Sequence, residues 1–130
     1  MIEFNFINHS SFSIKKGDTI LTVDPWIDGC VFNNSWKLLT KTPKDMINIV
    51  KRSSHVWFSH EHPDHFNPPN LNIFNNNTNF IFQKTKDKRV IKFLKRISNN
   101  ITEAESGKSI NLTDNFSIKV FPFQDLDSFC

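Results

Sequence analysis

The sequence predicts an α/β fold, a sheet flanked by helices, on three features. Strand-like alternation dominates the chain as far as Val23. Short wholly apolar runs then alternate with helical stretches, and neither an internal repeat nor a linker divides the chain.

Glu3 to Ile7 and Ser11 to Lys15 alternate apolar and polar residues, as half-buried strands do. Lys16-Gly17-Asp18 turns the chain into a third strand, Thr19 to Val23, which ends at Asp24-Pro25. Trp26 to Leu39 reads as loop, with Gly29 and the Asn33-Asn34 pair. Thr42-Pro43-Lys44-Asp45 reads as a helix start: Thr42 as N-cap, Pro43 at the first helical position and an acid in the first turn. Met46, Ile47 and Val50 line the buried face of that helix, which ends near Ser53. Val56-Trp57-Phe58 predicts a buried strand that delivers a loop at its end. Pro68 to Phe74 suits a short helix and Phe80-Ile81-Phe82 a further buried strand. Lys86 to Ile97 predicts an amphipathic helix with Val90, Phe93, Leu94 and Ile97 inward. Ser109 to Leu112 and Phe116 to Phe121 close as a hairpin around Thr113-Asp114-Asn115.

A chain of 130 residues is long enough for one domain with a packed core. Cys30 and Cys130 make no disulfide framework, which points to a reducing compartment. The N-terminus has no basic, apolar leader, and no run approaches the roughly 18 apolar residues of a spanning helix. A cytoplasmic protein without membrane contact is expected. The formal charge of +3 and pI near 9.0 permit an anionic partner without demanding one. Nucleic acid is not the expected partner, because no aromatic side chain interleaves the basic face of Lys86 to Ile97.

Chemistry concentrates in Ser59-His60-Glu61-His62-Pro63-Asp64-His65. A lone histidine such as His55 is ordinarily a surface or satisfied core residue. His60 and His62 lie two apart, so an extended segment projects both rings to one side, where they can share a metal ion. Asp64 and His65 follow the Pro63 bend and can face a second ion. Imidazole nitrogen and carboxylate oxygen suit zinc, and equally iron or manganese.

His-x-His-x-Asp-His after a buried strand resembles the main metal motif of the metallo-β-lactamase superfamily. Asn8 to Ile14 and Ile20 to Trp26 are similar to the opening strands of its lactonase-like branch, to which L-ascorbate-6-phosphate lactonase belongs. Asp24-Pro25-Trp26-Ile27 and the surroundings of His60 also resemble a domain of CMP-N-acetylneuraminate hydroxylase. The resemblance implies a metallo-β-lactamase-like αββα sandwich, of which this chain supplies about the first half. It implies two metal ions, zinc by expectation, with His60 and His62 on the first and Asp64 and His65 on the second. Asp64 would also orient the attacking water and so act as the catalytic residue. Asp24 would support the site from behind the ligands, against the plainer role of a turn residue before proline. His9 would stand on the substrate side, against a plain strand-end hydrogen bond.

The family's pattern then breaks off. No histidine follows His65. Where a third histidine is expected, the chain offers Asp125 or Asp127 as a substitute carboxylate. Two explanations fit, a fragment of a longer protein or a complete but degenerate chain, and the fragment is the expected one: a half sandwich, inactive alone and with apolar strands such as Phe80 to Phe82 exposed or paired with another copy in a homo-oligomer. The implied activity is metal-dependent hydrolysis of a small-molecule ester or lactone, or of a phosphodiester. The alternatives are an iron-dependent hydroxylase-like enzyme acting on nucleotide sugars and a non-catalytic binding or assembly module.

Overall fold

The computed structural model describes residues 1–121. Three antiparallel strands open the chain: β1 (Ile2–Asn8), β2 (Ser11–Lys16) and β3 (Thr19–Val23). Gly17 and Asp18 connect β2 to β3, and Gly17 takes φ +59°, which glycine adopts without steric cost. The segment expected to be loop contains a small hairpin, β4 (Cys30–Val31) with β5 (Trp36–Lys37). After helix α1 (Lys44–Lys51) comes β6 (His55–Phe58), then a 3-10 helix (Pro68–Ile73) and β7 (Asn79–Gln83). Helix α2 (Arg89–Leu94), β8 (Ile101–Ala104) and the hairpin β9 (Ser109–Thr113) with β10 (Phe116–Lys119) complete the described chain.

The main sheet runs β1-β2-β3-β6-β7-β8. The pairs β3/β6, β6/β7 and β7/β8 are parallel, so each needs a crossover, and the connecting helical segments supply it. One face carries a core of Val50, Val56, Phe58, Phe80, Phe82 and Leu94, packed by the helices. The other face holds Leu21, Val23, Ile81 and Leu112, with the β9–β10 hairpin laid across it. This mixed sheet with its few helices is the metallo-β-lactamase-like α/β fold that the sequence predicted.

Several local expectations need correction. Thr42 is not the N-cap; Pro43 is, with no side-chain cap bond. The Thr42 hydroxyl instead donates to the carbonyl of Ile27 at 2.7 Å and accepts from the Asn8 amide at 3.0 Å, joining the hairpin segment to β1. Helix α2 is shorter than Lys86 to Ile97. Asp87 takes the Arg89 amide at 2.9 Å, and beyond Leu94 the bonds Arg96 to Phe93 and Ile97 to Leu94 tighten the chain into 3-10 geometry. That tightening rotates Ile97 outward, and Ile91 is buried instead. Strand β8 was not foreseen, because Ile-Thr-Glu-Ala carries too little apolar signal. Phe80, Ile81 and Phe82 are buried, not bare, since helices cover one face and the β9–β10 hairpin the other. Exposed apolar residues are found instead on the edge strand, at Ile2, Phe4 and Phe6, and in and after the β4–β5 hairpin, at Phe32, Trp36 and Leu39. Among the described residues no helix is long and apolar enough to cross a membrane.

Candidate metal centre

Two strand ends meet at the site. Val23 pairs with Trp57, and the next amide, that of Asp24, donates to the Trp57 carbonyl at 3.0 Å. Asp24 and the loop beginning at Ser59 therefore leave the carboxyl edge of the parallel sheet side by side, the usual place for a site in such sheets. Phe66 anchors the far end of the loop, packed edge-on against Phe58 and Phe93. A tight turn on the His62 carbonyl, which accepts from the amides of His65 at 2.9 Å and Phe66 at 2.7 Å, folds the loop back on itself.

Asp24 is 4% exposed and both its oxygens are engaged. Oδ1 accepts from the Ser59 amide at 2.7 Å, while Oδ2 accepts from the Ser59 hydroxyl at 2.6 Å and from His65 Nδ1 at 2.8 Å. This orients the His65 ring with Nδ1 toward Asp24 and Nε2 toward Asp64, 3.4 Å from its Oδ2. Carboxylates that orient histidines in this way are common behind metal ligands. Burial alone would lower the His65 pKa. The hydrogen bond and charge of Asp24, with the charge of Asp64, outweigh it and hold the pKa above the ordinary value.

His9 comes from the turn between β1 and β2, at the other end of the chain's sequence from the loop. Its Nε2 donates to Asp64 Oδ2 at 3.0 Å. The ligand-capable atoms of His9, Asp64 and His65 all lie within 4.8 Å of one another. This hydrogen bond sets His9 among the residues that could hold a metal ion. Burial would raise the Asp64 pKa, but the His9 bond, a backbone bond and the charges of His65 and His9 leave the carboxyl below its usual value. His60 Nε2 and His62 Nδ1 stand 3.0 Å apart, and the His60 ring lies 4.0 Å from that of His65. Burial, then the charges of His65 and His62, push the His60 pKa down, which favours the neutral ring that a metal requires.

The donor set fits a divalent cation. Asp64 Oδ1 is buried and without a hydrogen-bond partner among the described residues. Such an orphan costs about 1–3 kcal/mol, a cost that a cation beside it would offset. Two backbone positions at the site are also unusual: His9 and Asp24 have φ of 48° and 45°, a region that costs non-glycine residues free energy and that often marks functional sites.

Of the residues singled out in the sequence, the structure gathers His9, His60, His62, Asp64 and His65 at one strand edge, with Asp24 behind them. Asp125 and Asp127 lie outside the described residues. His55 sits at the opposite end of β6, where burial lowers its pKa. Sequence reasoning missed Ser59 and Ser10, whose hydroxyls lie 3.3 and 3.4 Å from His65 Nδ1. It also missed Ser11, which donates to the Asp24 carbonyl and accepts from the Trp26 amide, holding the Asp24-Pro25-Trp26 turn. The signal for these serines was their place within the quoted motifs, where no role was assigned to them.

Comparison with known proteins bears on the family and the fold. The family described as "Beta-lactamase superfamily domain" matches residues 3–125. Cytidine monophosphate-N-acetylneuraminic acid hydroxylase of Asterias rubens is 32% identical over 72 residues, covering 55% of this chain and 11% of the relative. The Danio rerio protein of the same name is 34% identical over 70 residues, covering 54% and 12%. The chain thus spans about a tenth of these relatives' length. Among solved structures, a possible metal-dependent hydrolase from Veillonella parvula superposes with a TM-score of 0.67 at 17% identity, over 87% of this chain and 45% of that one. CmlA, a diiron beta-hydroxylase from Streptomyces venezuelae, gives 0.63 at 15% identity, over 94% and 24%. At such identities the likeness is one of fold.

Proposed function

We propose that this chain, which belongs to the beta-lactamase superfamily, supplies the first half of a two-metal centre for hydrolysis of an ester, lactone or phosphodiester. The observation that carries the reading is the cluster of His9, Asp64 and His65 within 4.8 Å, one carboxylate oxygen of which is buried and unpartnered among the described residues. His60 and His62 would hold one cation, Asp64 and His65 the other, with His9 beside Asp64. Zinc is the expected metal. When bound, such cations acidify a water molecule and polarise the substrate's carbonyl or phosphoryl oxygen. The residues of the chain do the rest. Asp24 fixes the His65 ring, His9 steadies Asp64, and the ionised Asp64 accepts a hydrogen bond from the attacking water. Remaining ligands would come from sequence beyond the described residues. The test is turnover of an activated phosphodiester and a lactone by the parent protein at saturating metal. Asp64→Ala should lower turnover by about a hundredfold or more while substrate binding changes little. Full activity in that variant would remove the mechanism.

A second reading has its own support. The similar proteins from Asterias rubens and Danio rerio are named hydroxylases, and one fold neighbour is a diiron hydroxylase. Iron in the purified protein, with redox activity, would favour it; zinc or manganese without redox activity favours hydrolysis.

A further inference from the structure

Several exposed apolar side chains gather beside the proposed centre. Phe6 is 63% exposed, Trp36 53% and Leu39 fully so, and all three line one cleft of about 710 Å³. The cleft opens between the β4–β5 hairpin and the ends of β1 and β3, and His9 and the buried Trp26 form part of its wall. Its size is that of a small-molecule site. Among the described residues no acid lines it, whereas Lys37 does, and none of them makes an ion pair with Lys37, which also borders the neighbouring cleft that Asp28 lines. Water-exposed aromatic area next to an unpaired cation suits a ligand with an apolar body and a negative charge.

The hairpin is built to hold its aromatics in place. Phe32, Asn33 and Asn34 take φ of 51°, 54° and 66° in succession. Asparagine tolerates the left-handed region, but phenylalanine seldom does, so the turn is strained. The turn sets Phe32 edge-on to Trp36 at 5.0 Å and to His62 at 6.4 Å. The Asn8 side chain donates to the Thr40 carbonyl at 2.9 Å and to the Thr42 hydroxyl, fixing the segment that follows β5 beside the end of β1. The cleft is thus continuous with the centre through His9 and braced against it through Phe32 and His62.

We infer that this cleft seats the body of an anionic, apolar substrate: its ring or acyl part against Phe6, Trp36 and Leu39, its negative group at Lys37, and its reactive end at His9. What the reactive end meets at His9 rests on the metal-centre reading; the cleft's choice of ligand does not.

The probe is 1-anilinonaphthalene-8-sulfonate, titrated by fluorescence into the folded full chain in chelator, with neutral N-phenyl-1-naphthylamine as its uncharged counterpart. Lys37→Gln should weaken the sulfonate roughly three- to tenfold and leave the neutral amine within about twofold. Trp36→Ala should weaken both about tenfold; Trp36→Phe, which keeps the packing, replaces it if the alanine variant loses its circular-dichroism spectrum. Phe4→Ser, on the same edge strand but outside the cleft, should change neither. Equal effects of Lys37→Gln on the two probes, loss of binding in Phe4→Ser, or no saturable binding by the wild type would overturn the inference. Because the titration is metal-free, probe binding by a protein that takes up no metal supports the cleft and counts against the centre alone.

Discussion

The two ends of strand β6 each carry histidine, and they treat it oppositely. At its start, His55 is partly buried beside the Ser54 hydroxyl, 3.0 Å away, and desolvation lowers its pKa. Beyond its end, His65 is also partly buried, yet two carboxylates face it and its pKa is raised. Burial acts in the same direction at both ends; placed charge decides the outcome at one of them. The difference separates a histidine that the fold merely tolerates from one that the fold orients.

The largest expected effect breaks the comparison at the oriented end. Replacing both His60 and His62 with Ala should abolish stoichiometric metal in protein purified without chelator, whereas His55→Ala should leave metal content unchanged. Elemental analysis of the three proteins decides it, and unchanged metal in the double variant would end the assignment.

Asp24→Asn sharpens the same comparison more gently. It keeps the shape but removes the charge that holds His65, so metal affinity should fall about ten- to a hundredfold. In metal-free protein the His65 resonance should then titrate at lower pH than in the wild type. A His65 titration that does not move would mean that Asp24 serves only the turn.

The smallest effects are in stability against pH, and they have opposite signs. The raised pKa of His65 stabilises the metal-free fold below its unfolded value of about 6.5, and that contribution is lost as pH rises through the higher folded value. His65→Asn should therefore lower the urea midpoint more at pH 6 than at pH 9. The lowered pKa of His55 means that the unfolded chain takes up that proton first. Its fold is penalised as pH falls through about 6.5, and His55→Asn should raise the midpoint at pH 5 relative to pH 8. Urea melts at these pH values, compared with wild type, read both signs.

Much was legible without coordinates because short-range rules govern it. The alternation of β1 and β2, the apolar run of β6 and the turn at Gly17 are local patterns, and each became the expected element. The length of α2 was not legible, because Asp87 and the tight turn after Leu94 compete with a helical pattern that looks continuous to Ile97. Nor was β8, whose strand character comes from pairing with β7 and not from its own residues.

The sequence by itself determined that donors cluster at residues 60–65, since the spacing of histidines and an aspartate in one short loop needs no long-range information. The family resemblance had named His9 and Asp24, but tertiary structure alone decided which side chains they meet. His9 reaches Asp64 across 55 positions and Asp24 reaches His65 across 41. Those meetings depend on β3 lying parallel to β6 in one register, with Val23 opposite Trp57. A shift of one residue in that register would turn alternate side chains to the other face and carry Asp24 away from Ser59 and His65.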